Sequence, residues 1–570
     1  LTETGIVFRH EALLSLFKDH GAIVEGNLVR LPEKLVEDRI KPVPQKFRWQ
    51  ARNNDRSVVM GENPLVQPAA GPVYVHDLDG GRRPGTLQDY TNMQKIYQSQ
   101  DVFDLVGMIP CEPSDVSQDR KHLYLMLEIL KHTDKPVNGF MTTGDQAQAQ
   151  LDMMEIAMGG ENALDEHHCI GVSIGATSPL TYTWDPLETL LQYVRRNQMV
   201  HLLCAPLAGV SAPIGLMDTV VLQNAELLAG IVLAQIIEPG APVVYGPSAT
   251  AADLRSGDFF CGTPELMLIN IANIQLATQF YNMPARAMTG ITDAKTVDYQ
   301  AGFETMQNLI MGILAGANLL NEAVGIIDNI LTVSYEKTII DGELISRVKR
   351  IMQGIDGPDC DMNIEIIKAV GHGGNYLLHD TTFMRCRDRW RAPYSYCGSY
   401  SEWEKQGGRD IVERANKTCK EILAAAPETL IDIALEEELK ALAGRLEGVA
   451  EGVKHLLQAK GLIKRLGGNP FLGLAAQSIV VPPELERAVE AALAGGTDLL
   501  AAAGEKEALA ALAHLRRQGA GRANLAAAEL MSDSRKAEPA PAGAALLAQE
   551  LTFSGPAAEI ARALIQDVLL

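Results

Sequence analysis

Past residue 440 this chain has almost no aromatic side chains. Only Phe471 and Phe553 remain there, whereas all four Trp and all fourteen Tyr precede residue 420. A tail so poor in rings offers little on which nucleic-acid bases could stack. A basic excess is missing too: the formal net charge of −21 argues against a polyanion as the main partner of the whole chain. The eight cysteines include no C-x-x-C pair, which removes a thiolate metal set and leaves reduced thiols as the expectation. No G-x-x-x-x-G-K-[ST] loop occurs, so a phosphate-cradling ATPase is excluded, and no dinucleotide fingerprint follows an early strand. The N-terminal stretch combines no basic start, apolar run and small-residue cleavage site, which predicts a cytoplasmic protein. Leu216 to Ile237 is the most apolar long segment, but Asp218, Gln223, Asn224, Glu226 and Gln235 interrupt it. It reads as a buried helix, with no membrane partner.

What is present divides in two. At 570 residues, two or more domains are expected. The last part, from about residue 440, is rich in Ala, Leu and Gly. From Gly448 onward there are 12 Lys/Arg against 13 Asp/Glu, so −20 of the net charge belongs to the first part. The junction, Glu428 to Glu447, spaces Leu430, Ile433, Leu435, Leu439, Leu442 and Leu446 as an amphipathic helix. In the first part, β-rich runs at His168 to Ile174, Val200 to Ala205, Pro242 to Tyr245 and Arg286 to Thr289 alternate with helical patterns. Examples of the latter are Thr219 to Ile237 and Thr263 to Phe280. Repeated strand-loop-helix units predict an α/β fold with a parallel sheet, closed as a TIM-type (β/α)8 barrel rather than open. The start at Leu1 and the end within the apolar run Asp567-Val-Leu-Leu570 read as truncations.

Residues 289–302 read Thr-Gly-Ile-Thr-Asp-Ala-Lys-Thr-Val-Asp-Tyr-Gln-Ala-Gly. Similar order runs through Ala176-Thr-Ser-Pro-Leu180, Ala205-Pro-Leu-Ala-Gly-Val-Ser-Ala-Pro213, Pro239-Gly-Ala-Pro-Val-Val-Tyr-Gly246, Leu314-Ala-Gly-Ala-Asn318 and Ser334-Tyr-Glu336. Over residues 1 to about 443 the chain thereby resembles the trimethylamine methyltransferase family, whose members are β/α barrels. The resemblance implies transfer of a methyl group from a small methylated amine to cobalamin carried on a separate small corrinoid protein, chemistry associated with methanogenesis. In the trimethylamine enzymes pyrrolysine lies between the Gly and Thr-Asp-Ala-Lys; here that position is Ile291. An alkyl side chain cannot form the adduct that makes a tertiary amine cationic. A quaternary amine already carries the charge, so glycine betaine, proline betaine or carnitine is the expected substrate class. Trimethylamine itself is one alternative. Another is an idle barrel serving as a scaffold.

Candidate side chains follow from that chemistry. A quaternary ammonium has no N–H, so aromatic faces and carboxylates should recognise it. The candidates are Tyr182, Trp184, Tyr245, Tyr299 and Tyr335, although any one such side chain is more often core or rim packing than part of a cage. Asp293, Glu336 and His379 are the catalytic candidates, with helix capping the alternative for Asp293. Glu226, a carboxylate in an apolar helix, would bind substrate or orient a loop. Arg255 would clamp a substrate carboxylate or form a surface ion pair. His372, Gly373 and Gly374 would meet the corrinoid edge. No metal set is expected.

Residues 447–570 are similar to the hinge domain of structural-maintenance-of-chromosomes proteins. The likeness rests on Glu451-Gly-Val-Lys454, Val480-Val-Pro-Pro-Glu-Leu-Glu486, Ala488-Val-Glu-Ala-Ala-Leu493, Gly521-Arg-Ala523 and Asp567-Val-Leu569. It implies a small α+β domain and a homo-oligomer, with nucleic acid disfavoured by the near-neutral charge.

Overall fold

The computed structural model describes residues 1–160, 162–255, 258–355 and 364–446, together with five short strands beyond them, at 471–474, 479–480, 500–502, 525–527 and 552–553. The chain divides into two compact units, Leu1–Leu439 and Lys440–Leu570.

Eight parallel strands form the centre of the first unit: β1 (Leu65–Val66), β2 (Val106–Gly107), β3 (Val137–Asn138), β4 (Ile170–Ala176), β5 (Met199–Cys204), β6 (Val243–Pro247), β7 (Arg286–Met288) and β8 (Leu319–Asn321). Each is followed by a helix: α1 (Leu87–Ser99), α2 (Gln118–His132), α3 (Gly144–Ala157), α4 (Trp184–Arg195), α5 (Leu216–Ile237), α6 (Pro264–Gln275), α7 (Tyr299–Leu314) and α8 (Tyr335–Met352). Strands β2 to β6 pair in order, as do β7, β8 and β1. The Tyr245 N–H donates to Pro284 O and the Leu105 N–H to Val66 O, which joins the two runs into a ring. The expected (β/α)8 barrel is therefore the observed one. Local chemistry sets several helix starts. Thr86 and Asp89 form a capping box at α1, Asp298 caps α7, Ser334 caps α8, and Pro264 opens α6 where a missing N–H costs nothing. Helix α5 has the length and composition to cross a membrane, yet 72% of its most apolar window is buried within the fold.

An N-terminal hairpin, Phe47–Trp49 with Val58–Met60, closes the bottom of the ring. Trp49 shares one core cluster with Leu65, Met199, Val244 and Leu319, early inward positions of four strands, and with Leu105 just before β2. Burying one indole contributes roughly 4–6 kcal/mol at about 25 cal/mol per Å². Gly171 makes room for it, since a Cβ there would stand 2.8 Å from the Trp49 ring. The barrel thus has a dry floor, and whatever it binds must enter from the other end, where the βα loops lie.

Two of those loops carry extra strands. Tyr74–Asp77 and Gly81–Pro84 from the β1–α1 loop join Ile326–Ile327 and Thr332–Ser334 from the β8–α8 loop in a four-stranded sheet. The junction helix runs from Ile433 to Leu446. In the second unit, Phe471–Leu474 pairs antiparallel with Leu500–Ala502, which pairs parallel with Leu525–Ala527; Ile479–Val480 pairs with Thr552–Phe553. The segments of the hinge resemblance at 451–454, 481–493, 521–523 and 567–569 lie outside the described residues.

Candidate active site

Strand alternation places one polar layer directly above the apolar floor. Inward positions recur every second residue, so Gln67 follows Leu65, His201 follows Met199, Gly246 follows Val244 and Asn321 follows Leu319. Asn138 joins them: its Nδ2 donates to Gln67 Oε1 at 3.4 Å and lies 3.3 Å from His201 Nε2. That contact makes Nε2 the acceptor and leaves the imidazole proton on Nδ1. Burial, and then the charge of Arg286, hold the His201 pKa well below its ordinary value, so the ring is neutral.

Arg286 is the one cation of this layer and is 1% exposed. It is level with Leu319 in the register of β7 and β8, and its guanidinium rises past Gly246. A Cβ at Gly246 would stand 3.0 Å from Arg286 Nε, so the glycine makes the passage possible. Nη2 donates to Ser248 Oγ at 2.6 Å, while Nε and Nη1 have no partner. Also unpaired in or beside the layer are Gln67 Nε2, Asn138 Oδ1, Ser173 Oγ, His201 Nδ1, both amide atoms of Asn321 and Glu322 Oε2. Native interiors leave few polar groups unpaired, so such a concentration marks a place for a ligand or ordered water. Glu322 follows Asn321 with φ 51°, a conformation uncommon outside glycine that breaks the strand alternation. Burial raises its pKa and the charge of Arg286 opposes that shift.

At the end of β7 the backbone around Ile291 is fixed from both sides. Lys337 Nζ donates to Gly290 O at 3.0 Å, and Asn308 Nδ2 donates to Ile291 O at 3.2 Å. Gly290 has no space for a side chain, because a Cβ would meet the Ala323 carbonyl carbon at 2.1 Å. The Ile291 side chain is fully buried. Asp293 ties three loops together. Its carboxylate accepts from Cys261 N at 2.6 Å, Gly262 N at 2.9 Å and Asn329 Nδ2 at 2.9 Å. Burial raises its pKa against those donors.

The other sequence candidates are dispersed. Glu336 is buried and accepts from Leu78 N at 2.9 Å, Asn416 Nδ2 at 2.9 Å and Ser334 Oγ at 3.2 Å. Tyr335 donates to Asp89 Oδ1 at 3.0 Å, and both residues line a cleft of about 590 Å³ with Arg83, Asn92 and Asn416. Glu226 accepts from Ser178 Oγ at 2.8 Å and Leu180 N at 2.7 Å, which holds the β4–α4 loop; burial raises its pKa. The Tyr182 hydroxyl donates to Glu226 O at 3.1 Å. Tyr245 faces away from the barrel interior, with its hydroxyl between Asn224 on α5 and Asn273 on α6. Trp184 is half exposed and stacks on His10 at 4.2 Å, while Tyr299 is 86% exposed at the start of α7. Arg255 is exposed on a turn in which Asp253 accepts its N–H. His372, Gly373 and Gly374 are exposed, and His379 caps the short helix Asp380–Arg385. None of the aromatic candidates belongs to the polar layer. Among the described residues no cluster of His, Cys, Asp and Glu could hold a metal ion.

Sequence reasoning missed Arg286, His201, Asn138 and Asn321. A usable signal was present: an Arg, a His and Asn residues inside runs that otherwise read as apolar barrel strands, where a polar side chain must face something.

Comparison with known proteins gives two family matches. The model described as Trimethylamine methyltransferase (MTTB) matches residues 1–448, and that described as SMC proteins Flexible Hinge Domain matches residues 469–570. The glycine betaine methyltransferase of Desulfitobacterium hafniense (strain Y51) is 34% identical over 443 residues, covering 77% of this chain and 92% of that protein. The trimethylamine methyltransferase of Desulfitobacterium hafniense (strain DSM 10664 / DCB-2) is 29% identical over 427 residues, 74% of this chain and 86% of that protein. The proline betaine:corrinoid methyltransferase of Eubacterium limosum is 28% identical over 442 residues, 74% of this chain and 89% of that protein.

Proposed function

The chain belongs to the trimethylamine methyltransferase family through residues 1–448, and we propose that it moves a methyl group from a quaternary amine of the glycine betaine type to a reduced corrinoid on a separate protein. The observation that carries the choice of substrate is Ile291, buried at the end of β7 between two anchored carbonyls. An alkyl group there offers no electrophile to a neutral amine nitrogen. A quaternary nitrogen needs none: its C–N bond breaks with the electron pair going to nitrogen, and a neutral tertiary amine leaves. Two relatives named for betaine substrates support the same reading.

The corrinoid, brought by its partner protein, supplies the nucleophile. The barrel's own part is to hold the amine at the loop end of the strands, keep water away and orient one methyl outward. Asp293 serves this by locking three loops around Ile291, and Glu336 by fixing the β1–α1 and β8–α8 loops against each other. The exposed glycines of residues 371–374 are offered as part of the surface that meets the corrinoid protein. Buried free thiols at Cys111, Cys169, Cys204, Cys261 and Cys419 support a cytoplasmic location. The hinge match supports a homo-oligomer built through the second unit; identical sedimentation of the full chain and of a chain ending near Glu447 would remove that idea.

The test is methyl transfer to reduced cobalamin, followed by absorbance, with glycine betaine and trimethylamine side by side. Glycine betaine is expected to react and trimethylamine to give no detectable transfer. Turnover of trimethylamine alone overturns the assignment. Transfer from neither would favour a scaffold role for the barrel.

A further inference from the structure

Arg286 is a buried cation with no carboxylate in hydrogen-bonding contact; Glu322 acts on it through its charge alone. Among the described residues it forms no ion pair, and its single hydrogen bond goes to the neutral Ser248 hydroxyl. Two of its three nitrogens remain open in a layer whose other unused donors include His201 Nδ1, Gln67 Nε2 and Asn321 Nδ2. A buried guanidinium is expected to be paired, and its fork of N–H groups matches a carboxylate. Among the described residues no carboxylate meets that fork in a hydrogen bond.

Further up the barrel the charge reverses. Glu322 lies three residues past the level of Arg286 on the neighbouring strand, which is about 10 Å along the strand from Cα to Cα. Its Oε2 is buried and unpaired, and its backbone is held at φ 51°. A positive group deep in the barrel and a negative group nearer the mouth form the complement of a zwitterion. The required ligand carries its anion inward and its cation outward, toward the loops where Ile291 and Asp293 stand.

Resting on the quaternary-amine reading above, we propose that Arg286 clamps a carboxylate of the substrate and Glu322 faces its ammonium. The barrel thereby selects amines that carry an acid group one short linker away from the nitrogen. Tetramethylammonium or choline would leave Arg286 unpaired, and that uncompensated charge is the basis of rejection. The polar layer is a specificity device at the far end of the substrate from the reacting methyl. The Trp49 floor sets its depth.

Calorimetry on the full chain tests this without any need for turnover. Wild type should bind glycine betaine about 100-fold more tightly than its methyl ester, since the ester leaves a buried charge pair incomplete. Arg286→Gln should lower glycine betaine affinity by about 100-fold and reduce the preference over tetramethylammonium by a similar factor. Arg286→Lys should recover part of that loss, because it restores charge without the fork. Equal affinity of wild type for the acid and the ester overturns the clamp even if Arg286→Gln does not fold. A folded Arg286→Gln variant that keeps its preference for glycine betaine over tetramethylammonium also overturns it. The function is judged separately. Tight, carboxylate-dependent binding without methyl transfer would sink the methyltransferase reading and leave the clamp standing. Transfer with carboxylate-independent binding would do the reverse.

Discussion

The polar cluster around Asp89 and the polar layer inside the barrel differ in how completely they are hydrogen-bonded. Around Asp89 the donors are all supplied from within. Arg83 gives two hydrogen bonds at 2.7 and 2.8 Å, Thr86 gives its N–H and hydroxyl, and Tyr335 gives its phenol. Glu336, close by, is bonded by Leu78, Ser334 and Asn416. In the barrel layer the reverse holds: Arg286, His201, Asn321 and Glu322 leave six polar atoms without a partner. A cluster closed on itself fixes loops. An open cluster is poised for something the chain does not contain.

The sharpest break between them should come from Asp89→Ala. It leaves Arg83 with Asp77 alone and takes away the acceptor of the Tyr335 hydroxyl, and with the half-exposed guanidinium still solvated we expect a loss on the order of 2 kcal/mol in urea unfolding. Affinity for glycine betaine should change by less than about threefold, because the cluster has no open donor to lend. A large loss of affinity in a variant that keeps its stability would erase the distinction between the two clusters.

A second prediction separates them by pH. At Asp89 burial pushes the pKa up, but the bonds from Arg83 and Thr86 and the Arg83 charge together hold it below the ordinary value. A depressed carboxyl contributes stability above its unfolded pKa and loses it as pH falls through the folded one. At Glu322 burial raises the pKa, with Arg286 opposing. A raised carboxyl has the opposite sign: stability falls as pH climbs from the unfolded pKa through the folded one. Relative to wild type, Asp89→Asn should therefore be least harmful in acid. Glu322→Gln should become progressively more stabilising as pH rises above the ordinary carboxylate range. Urea midpoints measured against pH check both slopes, and parallel slopes for the two variants would contradict the contrast.

The smallest expected effect is at Asn321, whose amide is unpaired at both ends. Asn321→Leu, with the same heavy-atom branching and no polar atoms, should raise stability by about 1 kcal/mol while weakening glycine betaine binding several-fold. Lower stability together with unchanged binding would mean that the amide is a structural element after all.

How much of this was legible beforehand depends on the range of the interaction that matters. The barrel was readable because repeated short β-rich runs, each followed by an amphipathic or apolar helix, encode it locally. Ile291 was readable because its neighbours Gly290 and Thr292-Asp-Ala-Lys295 identify the position it fills. Candidate side chains fared differently. Tyr245 stands in the same apolar run as Gly246, and only strand alternation in the closed ring sends one toward the helices and the other toward Arg286. Arg255 and Arg286 are both arginines near loops in the sequence. One is exposed on a turn, the other passes the missing side chain of a residue forty positions earlier.

The sequence by itself determined the family, the alternating strand-helix plan, and the alkyl group at position 291 that limits the chemistry. Each of these is carried by residue identity within a short window or by periodicity along the chain. Tertiary structure alone decided which polar side chains share the barrel interior, which of them satisfy one another, and which are left open. Partnership across eight strands depends on register and ring closure, and two residues adjacent in sequence can face opposite sides of the same wall.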